Sequence, residues 1–335
     1  MANKQRQTDY LTVSARIRIL ETRLLSPAQM EQMLTARTDE EVVRLLRESG
    51  YPELDPSNPA GLDAALSQVR EHTLEDLADM VPDSLYLDLF RLKYDYHNVK
   101  SLLKAEAVGA DPEHMLTDLG RVPAAALRTA LEGETDEALL PPMLLSAARE
   151  MRETLETTRD PQLADMAADA WYYRELADLA ERPGSEFLRG YVRLQIDAVN
   201  LRVLVRTQRM GKNAAFACGA LFAGGEIDAE ALLAVSQAHG QGLAKLYETS
   251  VLRAAAEEGQ RVLQGAAPTE FEKLCDDAVS GYLARSRYVP FGEEPLVSYL
   301  AARETEYLNL RILLMGRRAG LDPETIRARL RKSCL

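Results

Sequence analysis

Apolar residues recur at spacings of three and four along most of the chain, which is the period of an amphipathic helix. Strict alternation of apolar and polar residues, the pattern of a strand, is scarce, and runs of β-branched residues are few. Helix starts, where a side-chain acceptor precedes a proline, are well marked at Ser26-Pro27, Asp111-Pro112-Glu113 and Asp322-Pro323-Glu324. The pattern predicts an all-α chain.

One stretch of this pattern occurs three times: YDYHNVKSLLKAEAVG at 94–109, IDAVNLRVLVRTQRMG at 196–211 and TEYLNLRILLMGRRAG at 305–320. The stretches align without a gap on an asparagine, with an acid three residues before it and a glycine eleven residues after it. These anchor residues are Asp95, Asn98 and Gly109, then Asp197, Asn200 and Gly211, then Glu306, Asn309 and Gly320. Because consecutive asparagines lie 102 and 109 residues apart, close to a third of the chain, the sequence predicts a threefold internal duplication.

A weaker echo marks where the repeats begin. GRVPAAAL at 120–127 matches GEIDAEAL at 225–232, and each is expected to open a helix, with Asp228 as the cap of the second. Ser26-Pro27 is the corresponding candidate near the N-terminus. We therefore expect three homologous helical domains over residues 1–119, 120–224 and 225–335.

The repeated stretch predicts a long helix, a tight turn and a second helix. The long helices are expected at roughly 84–107, 186–209 and 296–318. With the Asn at 0° and 100° per residue, the acid lies at about 60°, and the apolar residues four, one and five positions after the Asn lie at about 40°, 100° and 140°. Acid and amide therefore share the buried face. The glycine suits the left-handed C′ position, and the Asp or Asn two residues on is expected to cap the next helix.

The buried acid and asparagine allow two interpretations. Three carboxylates about a pseudo-threefold axis could hold a cation or form a catalytic centre. Alternatively, each pair fixes the register of one helix by bonding to backbone groups or side chains of a neighbouring helix in the same repeat. The second interpretation is favoured, because a scaffold pair is expected in every copy, whereas a site usually survives in one.

Composition and charge narrow the class of protein. Hydrophobic residues make up 46% and charged residues 27% of the chain, the balance of a folded globular protein. The formal net charge of −12 disfavours sequence-independent binding to nucleic acid or anionic lipid and favours a basic or protein partner. Cys218, Cys275 and Cys334 form no C-x-x-C pair, which fits a reducing cytoplasm. Without a signal-like N-terminus or a long apolar run, a soluble chain is expected.

No catalytic, cofactor-binding or metal-binding constellation stands out. The four histidines form no metal motif, and phosphate-loop and G-x-S-x-G patterns are missing from the sequence. A group of aromatic residues is expected in the core, with an interface anchor as the alternative: Tyr94, Tyr96, Trp171, Tyr172 and Tyr173. The arginines near the C-terminus are expected on a solvated helix face that complements helix C-termini, with an acidic partner as the alternative: Arg317, Arg318, Arg327, Arg329 and Arg331.

Four segments together resemble a known family: YLTVSARIRILETRLLSP, KYDYHNVKSLLKAE, FLRGYVRLQIDAVNLRVLVRT and FGEEPLVSYLAARETEYLNLRILLMGRRAGLDPETIRARL. In order and length they are similar to the C subunit of archaeal and bacterial V/A-type ATPases, which is homologous to the d subunit of the eukaryotic vacuolar ATPase. The resemblance covers nearly the whole chain.

The resemblance implies three homologous helical domains around a pseudo-threefold axis, forming a funnel. It implies a non-catalytic rotor part of an ATPase or ATP synthase, whose mouth receives the D and F subunits of the central stalk. Its base would sit on the proteolipid ring at the cytoplasmic face of the membrane, peripheral and without inserting into it. Torque would pass between the catalytic head and H⁺ or Na⁺ translocation, and the rotor part itself would hold no cofactor.

Two other classes of function stay open at this point. A helical repeat scaffold could bind another basic protein outside any ATPase. A helical enzyme or metal protein could use the threefold acids. Association with the stalk and the proteolipid ring would separate the rotor part from the scaffold, and metal analysis and activity assays would address the enzyme or metal protein.

Overall fold

The computed structural model describes residues 9–52, 58–133 and 139–335. Within these ranges the chain is helical and carries no strand, which confirms the predicted all-α class. None of the described helices is both long enough and apolar enough to cross a membrane.

The helices follow the chain in three groups. The first is α1 (Leu11–Glu21), α2 (Pro27–Thr35), α3 (Asp39–Glu48) and α4 (Pro59–Ala78). The second is α5 (Leu85–Val108), α6 (Ala124–Leu131), α7 (Pro142–Thr158), α8 (Pro161–Glu181), α9 (Glu186–Arg209), α10 (Ala214–Ala220), α11 (Ala229–Gln237) and α12 (Leu243–Leu246). The third is α13 (Arg253–Leu263), α14 (Thr269–Leu283), α15 (Glu293–Arg318) and α16 (Pro323–Arg327), and short 3₁₀ turns lie at Glu113–Met115 and Ala284–Tyr288.

The chain divides into two compact units. The first unit joins the described residues up to Tyr86 to Ser250–Leu335, and the second unit is Leu87–Thr249. The first unit therefore contains both ends of the described chain. The division into three repeats at 1–119, 120–224 and 225–335 stays a prediction.

The first unit is built around α15, which contacts α1, α4, α14 and α16. Its C-terminal half shares one hydrophobic core with α2, α3 and α4 from the other end of the chain. The buried members of this core are Met33, Leu34, Val42, Leu46, Tyr51, Leu62, Leu66, Tyr307, Leu310, Leu313, Leu314 and Ile326. The N-terminal helices thus bury their apolar faces against a helix that begins more than two hundred residues later.

The second unit is built around α7, α8 and α9. Helices α7 and α8 form an antiparallel hairpin whose turn includes Arg159, a non-glycine residue with φ 55°. Helix α8 packs on α9, which also contacts the short helices α10 and α11. The described side chains that α9 buries include Leu188, Val192, Ile196, Leu201, Leu204 and Val205.

The three long repeated helices lie where the sequence predicts them. They are α5, α9 and α15, and each ends just before its turn glycine. Gly109, Gly211 and Gly320 have φ of 65°, 65° and 68°, the left-handed conformation that glycine adopts at low cost.

The capping residues after two of these turns also behave as predicted. Asn213 and Asp322 accept the backbone N–H of Phe216 and Thr325 at the starts of α10 and α16. Asp111 differs, because the segment after it makes only a 3₁₀ turn and Asp111 accepts from Glu113.

The shared core of the first unit predicts long-range destabilisation by a single truncation in α15. Leu313 is fully buried in this core, so Leu313→Ala should cost about 3 kcal/mol through lost transfer energy and a cavity. Amide hydrogen exchange should accelerate in α2 and α3 as well as in α15, as mass spectrometry of deuterated peptides can measure. The matched control is Leu308→Ala on the same helix, because Leu308 is 40% exposed. Acceleration confined to α15 would contradict the shared core.

Candidate functional site

The acid and asparagine of each repeated helix are buried. Each pair binds backbone groups of a segment that follows or precedes it in the chain, and we term each such contact a joint. The first joint is formed by Asp95 and Asn98, the second by Asp197 and Asn200, and the third by Glu306 and Asn309.

In the first and second joints the asparagine side chain pairs with one backbone residue in both directions. Asn98 donates Nδ2 to the carbonyl of Thr117 at 2.7 Å and accepts its N–H at 3.1 Å. Asn200 donates to the carbonyl of Phe222 at 2.8 Å and accepts its N–H at 2.8 Å. An amide has one donor side and one acceptor side, so it satisfies both groups of a buried peptide. Both pairings fix the helix against the segment beyond its turn.

The third joint repeats this pairing near the C-terminus. Asn309 donates to the carbonyl of Arg331 at 2.9 Å and accepts its N–H at 2.8 Å. The separation along the chain, 22 residues, equals that between Asn200 and Phe222. The same geometry therefore occurs in all three repeats.

The acids of the first and second joints bind the segment that opens the next predicted repeat. Asp95 Oδ1 accepts the backbone N–H of Arg121 at 2.8 Å and of Val122 at 3.1 Å. Asp197 accepts the N–H of Glu226 at 3.0 Å and of Ile227 at 3.1 Å. These donors lie just before α6 and α11. Each acid thus connects its own long helix to the start of the following predicted repeat, and the expectation that its partners lie in the same repeat is wrong for these two acids.

A glycine immediately before each donor pair lets the carboxylate come close. A Cβ at position 120 would lie 2.3 Å from Oδ1 of Asp95, and one at position 225 would lie 2.1 Å from Oδ1 of Asp197. Neither Gly120 nor Gly225 has a positive φ, so space and not backbone conformation requires glycine here. The sequence echo at 120–127 and 225–232 begins with these two residues.

The third acid reaches the other end of the chain. Glu306 Oε2 accepts the backbone N–H of Leu25 at 2.5 Å, just before the Ser26 cap of α2. Its Oε1 accepts hydrogen bonds from the hydroxyl of Tyr51 and from Arg303. By position relative to the following helix, Leu25 corresponds to Val122 and Ile227. The third joint therefore connects the last predicted repeat to the first predicted repeat.

The change from Asp to Glu in the third repeat now has a physical reason. Aligned on Leu25, the place of Gly120 and Gly225 is taken by Arg23, which has a Cβ. Two joints combine glycine with the short acid, and the third combines a residue that has a Cβ with an acid one methylene longer. With the longer side chain, Glu306 accepts the backbone N–H of Leu25 although position 23 carries a Cβ.

The first joint has a further charged network. Arg121 donates Nε to Asp95 at 2.6 Å and Nη1 to Glu175 at 2.8 Å, and Glu175 accepts the hydroxyl of Tyr96 at 2.7 Å. Burial raises the pKa of Asp95 more than Arg121 and the backbone N–H groups lower it. Burial and the neighbouring Glu175 raise the pKa of Tyr96, so its hydroxyl stays a donor. One guanidinium thus binds two buried carboxylates.

Aromatic rings connect the first joint to the second. Tyr96 contacts Tyr172 with centroids 5.6 Å apart, Tyr172 contacts Tyr173 at 4.8 Å, and Tyr173 contacts Phe222 at 4.4 Å. Phe222 supplies the peptide that Asn200 binds. Of the aromatic group predicted from sequence, Tyr96 is fully buried and the others are half-buried, including Tyr94 and Trp171.

The prediction of a solvated arginine face is wrong for Arg317 and Arg331, whereas the predicted contact with a helix C-terminus is confirmed for Arg317. Arg317 donates to the carbonyl of Ala36 at 2.9 Å and to Asp39 at 3.0 Å, so it binds the C-terminal end of α2 and is mostly covered. Arg331 is similarly covered and pairs with Asp276 at 2.6 Å. Arg318 and Arg329 are exposed as expected.

The three acids present no free carboxylate edge. Each of their six oxygens accepts at least one hydrogen bond from a backbone N–H, a hydroxyl or a guanidinium. Among the described residues, no group of three or more His, Cys, Asp or Glu side chains is arranged to hold a metal ion. The geometry serves to hold segments together.

Among the residues of the joints that were not singled out by the sequence are Gly120, Gly225, Arg121 and Tyr51. The two glycines could have been found, since each is the first residue of one of the two similar segments at 120–127 and 225–232. Arg121 and Tyr51 carried none, because their partners Glu175 and Glu306 lie 54 and 255 residues away and no local pattern reports such contacts.

The close approach at the second joint predicts a compensating pair of substitutions. Gly225→Ala should destabilise the protein by about 2 kcal/mol, because the new methyl group displaces the Asp197 carboxylate. Adding Asp197→Glu should restore part of this loss, as the third joint combines Glu306 with Arg23. Urea unfolding followed by circular dichroism measures both changes.

The control for this pair is Gly219→Ala in α10, where the added Cβ would meet Met166 at an ordinary 3.7 Å. This variant should be neutral or slightly stabilising. If the double variant is no more stable than Gly225→Ala alone, the length of the acid at position 197 does not compensate for a Cβ at position 225.

Burial of Asp197 predicts a pH-dependent contribution to stability. Burial raises the pKa of this carboxyl above its unfolded value of ~3.9, against the two backbone N–H groups that lower it. Between the two pKa values the folded state binds more protons, so the stability contributed by Asp197 is fully present below ~3.9 and declines as pH rises through the folded pKa. The difference in stability between the wild type and Asp197→Asn should therefore decrease as the pH rises from the unfolded to the folded pKa of Asp197. Thermal midpoints of both proteins, measured from acid to neutral pH, test this. A margin that widens would mean that the hydrogen bonds outweigh burial.

The chain matches a known protein family over most of its length. A family model described as ATP synthase (C/AC39) subunit matches residues 13–329. The C subunit of the V-type sodium ATPase of Enterococcus hirae is 26% identical over 329 residues, covering 97% of this chain and 98% of that protein. The C subunit of the A-type ATP synthase of Methanocaldococcus jannaschii is 27% identical over 343 residues, covering 96% of this chain and 86% of that protein.

A shorter alignment gives the same assignment. The C subunit of the V-type ATP synthase of Thermus thermophilus is 26% identical over 209 residues, covering 61% of this chain and 64% of that protein. The family match includes all nine anchor residues of the repeats. The resemblance inferred from the sequence is thereby confirmed, and the chain belongs to the ATP synthase (C/AC39) subunit family.

Proposed function

We propose that this chain is the rotor adaptor of a V/A-type ATPase, joining the central stalk to the membrane proteolipid ring. Membership in a family of rotary ATPase subunits supports this proposal. The chain itself carries out no chemistry and binds no cofactor. It transmits torque between ATP hydrolysis or synthesis in the catalytic head and H⁺ or Na⁺ movement in the membrane part.

The proposed architecture is three homologous domains, 1–119, 120–224 and 225–335, around a pseudo-threefold axis. The domains form a funnel whose mouth receives the D and F subunits of the stalk and whose base rests on the proteolipid ring. The joints support a closed order of repeats. Asp95 binds the opening of the second repeat, Asp197 binds the opening of the third, and Glu306 binds Leu25 at the opening of the first.

The observation that carries the proposal is the recurrence of the joint in all three repeats. A part that transmits torque has to resist shear between its segments. Buried hydrogen bonds with charged acceptors resist slippage more than apolar packing does, because sliding would leave a buried carboxylate or amide unpaired. Three such joints make each repeat rigid relative to the start of the next.

The location follows from the same proposal. The chain acts as a peripheral component at the cytoplasmic face, held through its protein partners. The described helices offer no membrane span that would anchor it independently.

Removal of the chain tests the function directly. Membrane vesicles that contain the ATPase of the source organism are prepared with and without this chain. Without it, ATP hydrolysis by the head should continue while ATP-driven ion uptake stops, and adding the purified chain should restore uptake. Affinity purification of the full chain should bring down D, F and the proteolipid ring.

Other results would favour other functions. Loss of ATP hydrolysis together with ion uptake, reversed only by the added chain, would indicate a catalytic role. Unchanged ion uptake, with none of D, F and the ring purifying with the chain, would indicate a repeat scaffold outside the ATPase.

A further inference from the structure

Two segments of the second unit contain no acidic residue. The chain carries 52 Asp and Glu among its 335 residues, yet none of them falls within 198–225 or 231–247. The first segment runs from the C-terminal half of α9 through its turn and α10, and the second covers most of α11 and all of α12. The first segment is therefore positively charged in a chain of net charge −12, and its four basic residues are Arg202, Arg206, Arg209 and Lys212.

The two segments meet where α9 ends. Gln208 donates Nε2 to the carbonyl and to the hydroxyl of Ser236 in α11, both at 3.0 Å. The residues that follow the two helices are exposed, Met210 by 58% after α9 and His239 after α11. We term the exposed residues at this place the basic end: Arg206, Arg209, Met210, Lys212 and His239.

The turn after α9 presents the basic end from a fixed backbone. Gly211 has the left-handed φ of 65°, and Asn213 accepts the N–H of Phe216 at 2.9 Å to start α10. Nζ of Lys212 lies 4.9 Å from the ring centroid of Phe216. Little backbone freedom therefore remains to be lost when a partner binds.

The acids of the helices beside α9 are engaged by other groups. Helix α8 packs along α9, and its cap Asp160 accepts the N–H of Gln162 at 2.8 Å. Glu156, the acid nearest to the end of α7, is exposed, and Arg159 three residues later carries the opposite charge. The next three acids of α8 pair at 3.0, 2.7 and 2.8 Å with bases outside the basic end, as Asp165–Lys104, Asp169–Lys100 and Glu175–Arg121.

The acids on the side of α11 lie away from the basic end. Glu230 belongs to the first turn of α11, about 9 Å along the helix from Ser236. Glu248 comes after α12. Among the described residues, no acid lies within ion-pair distance of Arg209 or Lys212. Both cations are therefore available to a partner.

The corresponding turns of the other two repeats lack this charge. Asp111 follows the turn of the first repeat and Asp322 that of the third, whereas the second has Asn213 at the same place. Asn caps a helix about as well as Asp, so the neutral cap preserves the turn and removes a negative charge. The positive charge thus belongs to one copy, as a binding surface added to a shared scaffold would.

We propose that the basic end is the docking surface for an acidic face of the central stalk. Carboxylates of the stalk pair with Arg209 and Lys212, and an apolar side chain of the stalk covers Met210, whose flexible thioether adapts to it. Arg206 adds to the attractive field. The inference rests on the proposed adaptor function, because it assigns the adaptor's stalk contact to this surface.

The charge favours the stalk over the proteolipid ring. Cytoplasmic loops of membrane proteins are enriched in Lys and Arg, so the face that the ring turns towards a peripheral subunit is expected to be basic. The basic end would meet like charges there, and like charges across an interface oppose binding. The stalk is outside the membrane and is not subject to this enrichment.

The charge is also too small for a membrane contact. Recruitment to anionic lipid takes clusters of roughly four to eight Lys or Arg. The basic end contributes only Arg206, Arg209 and Lys212 as permanent charges, and the acidic remainder of the chain is repelled by an anionic bilayer. An acidic protein face is therefore the partner that this chemistry fits.

The test measures binding of the full chain to the purified D and F subunits of the stalk, at low and at physiological ionic strength. Arg209→Glu and Lys212→Glu are each compared with the wild type. The matched control is Arg318→Glu, because Arg318 is exposed and occupies the position of Arg209 in the third repeat. Further probes are the detergent-solubilised proteolipid ring and phosphatidylcholine vesicles with and without phosphatidylglycerol. Thermal midpoints verify that the variants remain folded.

We expect both variants to lose affinity for D and F by about tenfold or more and to show a weaker dependence on salt, with Arg318→Glu close to the wild type. Equal affinity of the wild type and both variants for D and F overturns the docking surface while the adaptor function stands. Equal losses in Arg209→Glu and Arg318→Glu overturn it in favour of an effect of net charge.

The other probes separate the remaining outcomes. A loss of binding to the ring or to vesicles, without a loss for D and F, overturns the stalk contact in favour of that partner. Wild-type binding to the ring without binding to D and F also overturns it. If the wild type binds neither the stalk subunits nor the ring, the adaptor function fails first and the docking surface with it.

Discussion

A buried carboxylate has to accept hydrogen bonds, and in the three joints the backbone donors lie at the start of another predicted repeat. That single requirement organises the joints. Asp95, Asp197 and Glu306 each sit on an apolar helix face where an unpaired charge would be prohibitively costly, so the helix can occupy only the register that brings them to those N–H groups. The neighbouring asparagine adds a second fixed contact one turn away. Apolar packing fills the space between helices, and the polar pairs define how the helices align.

The joints vary in the ways that this requirement permits. Two of them combine aspartate with a glycine at the facing position, which lets the backbone come close. The third combines the longer glutamate with Arg23, so a longer acid accompanies a facing residue that has a Cβ. Their surroundings differ as well. Asp95 shares a guanidinium with Glu175, Asp197 relies on backbone donors, and Glu306 adds the hydroxyl of Tyr51. The three joints thus share one contact to the backbone, while the side chains around it differ.

Sequence reasoning succeeded for features that depend on residues close to one another in the chain. Helical period and the asparagine alignment predicted α5, α9 and α15 to within a few residues, and the turn glycines took the expected conformation. It failed for contacts between distant segments. Nothing near Tyr51 or Arg121 in the sequence indicates a buried acid partner, and Arg317 looks like any solvated arginine until α2 is placed against it. The role of Gly120 and Gly225 depends on an atom contributed by another helix.

The shared core of the first unit also has a consequence for how the chain is made. Helices α2 and α3 leave the ribosome early, but α15, which covers their apolar faces, is translated about 245 residues later. At 5–20 residues per second this leaves a delay on the order of ten to fifty seconds. The second unit can fold during that interval, while the first waits with exposed leucines. Until α15 has been translated, the apolar faces of α2 and α3 therefore lack the helix that covers them in the folded protein.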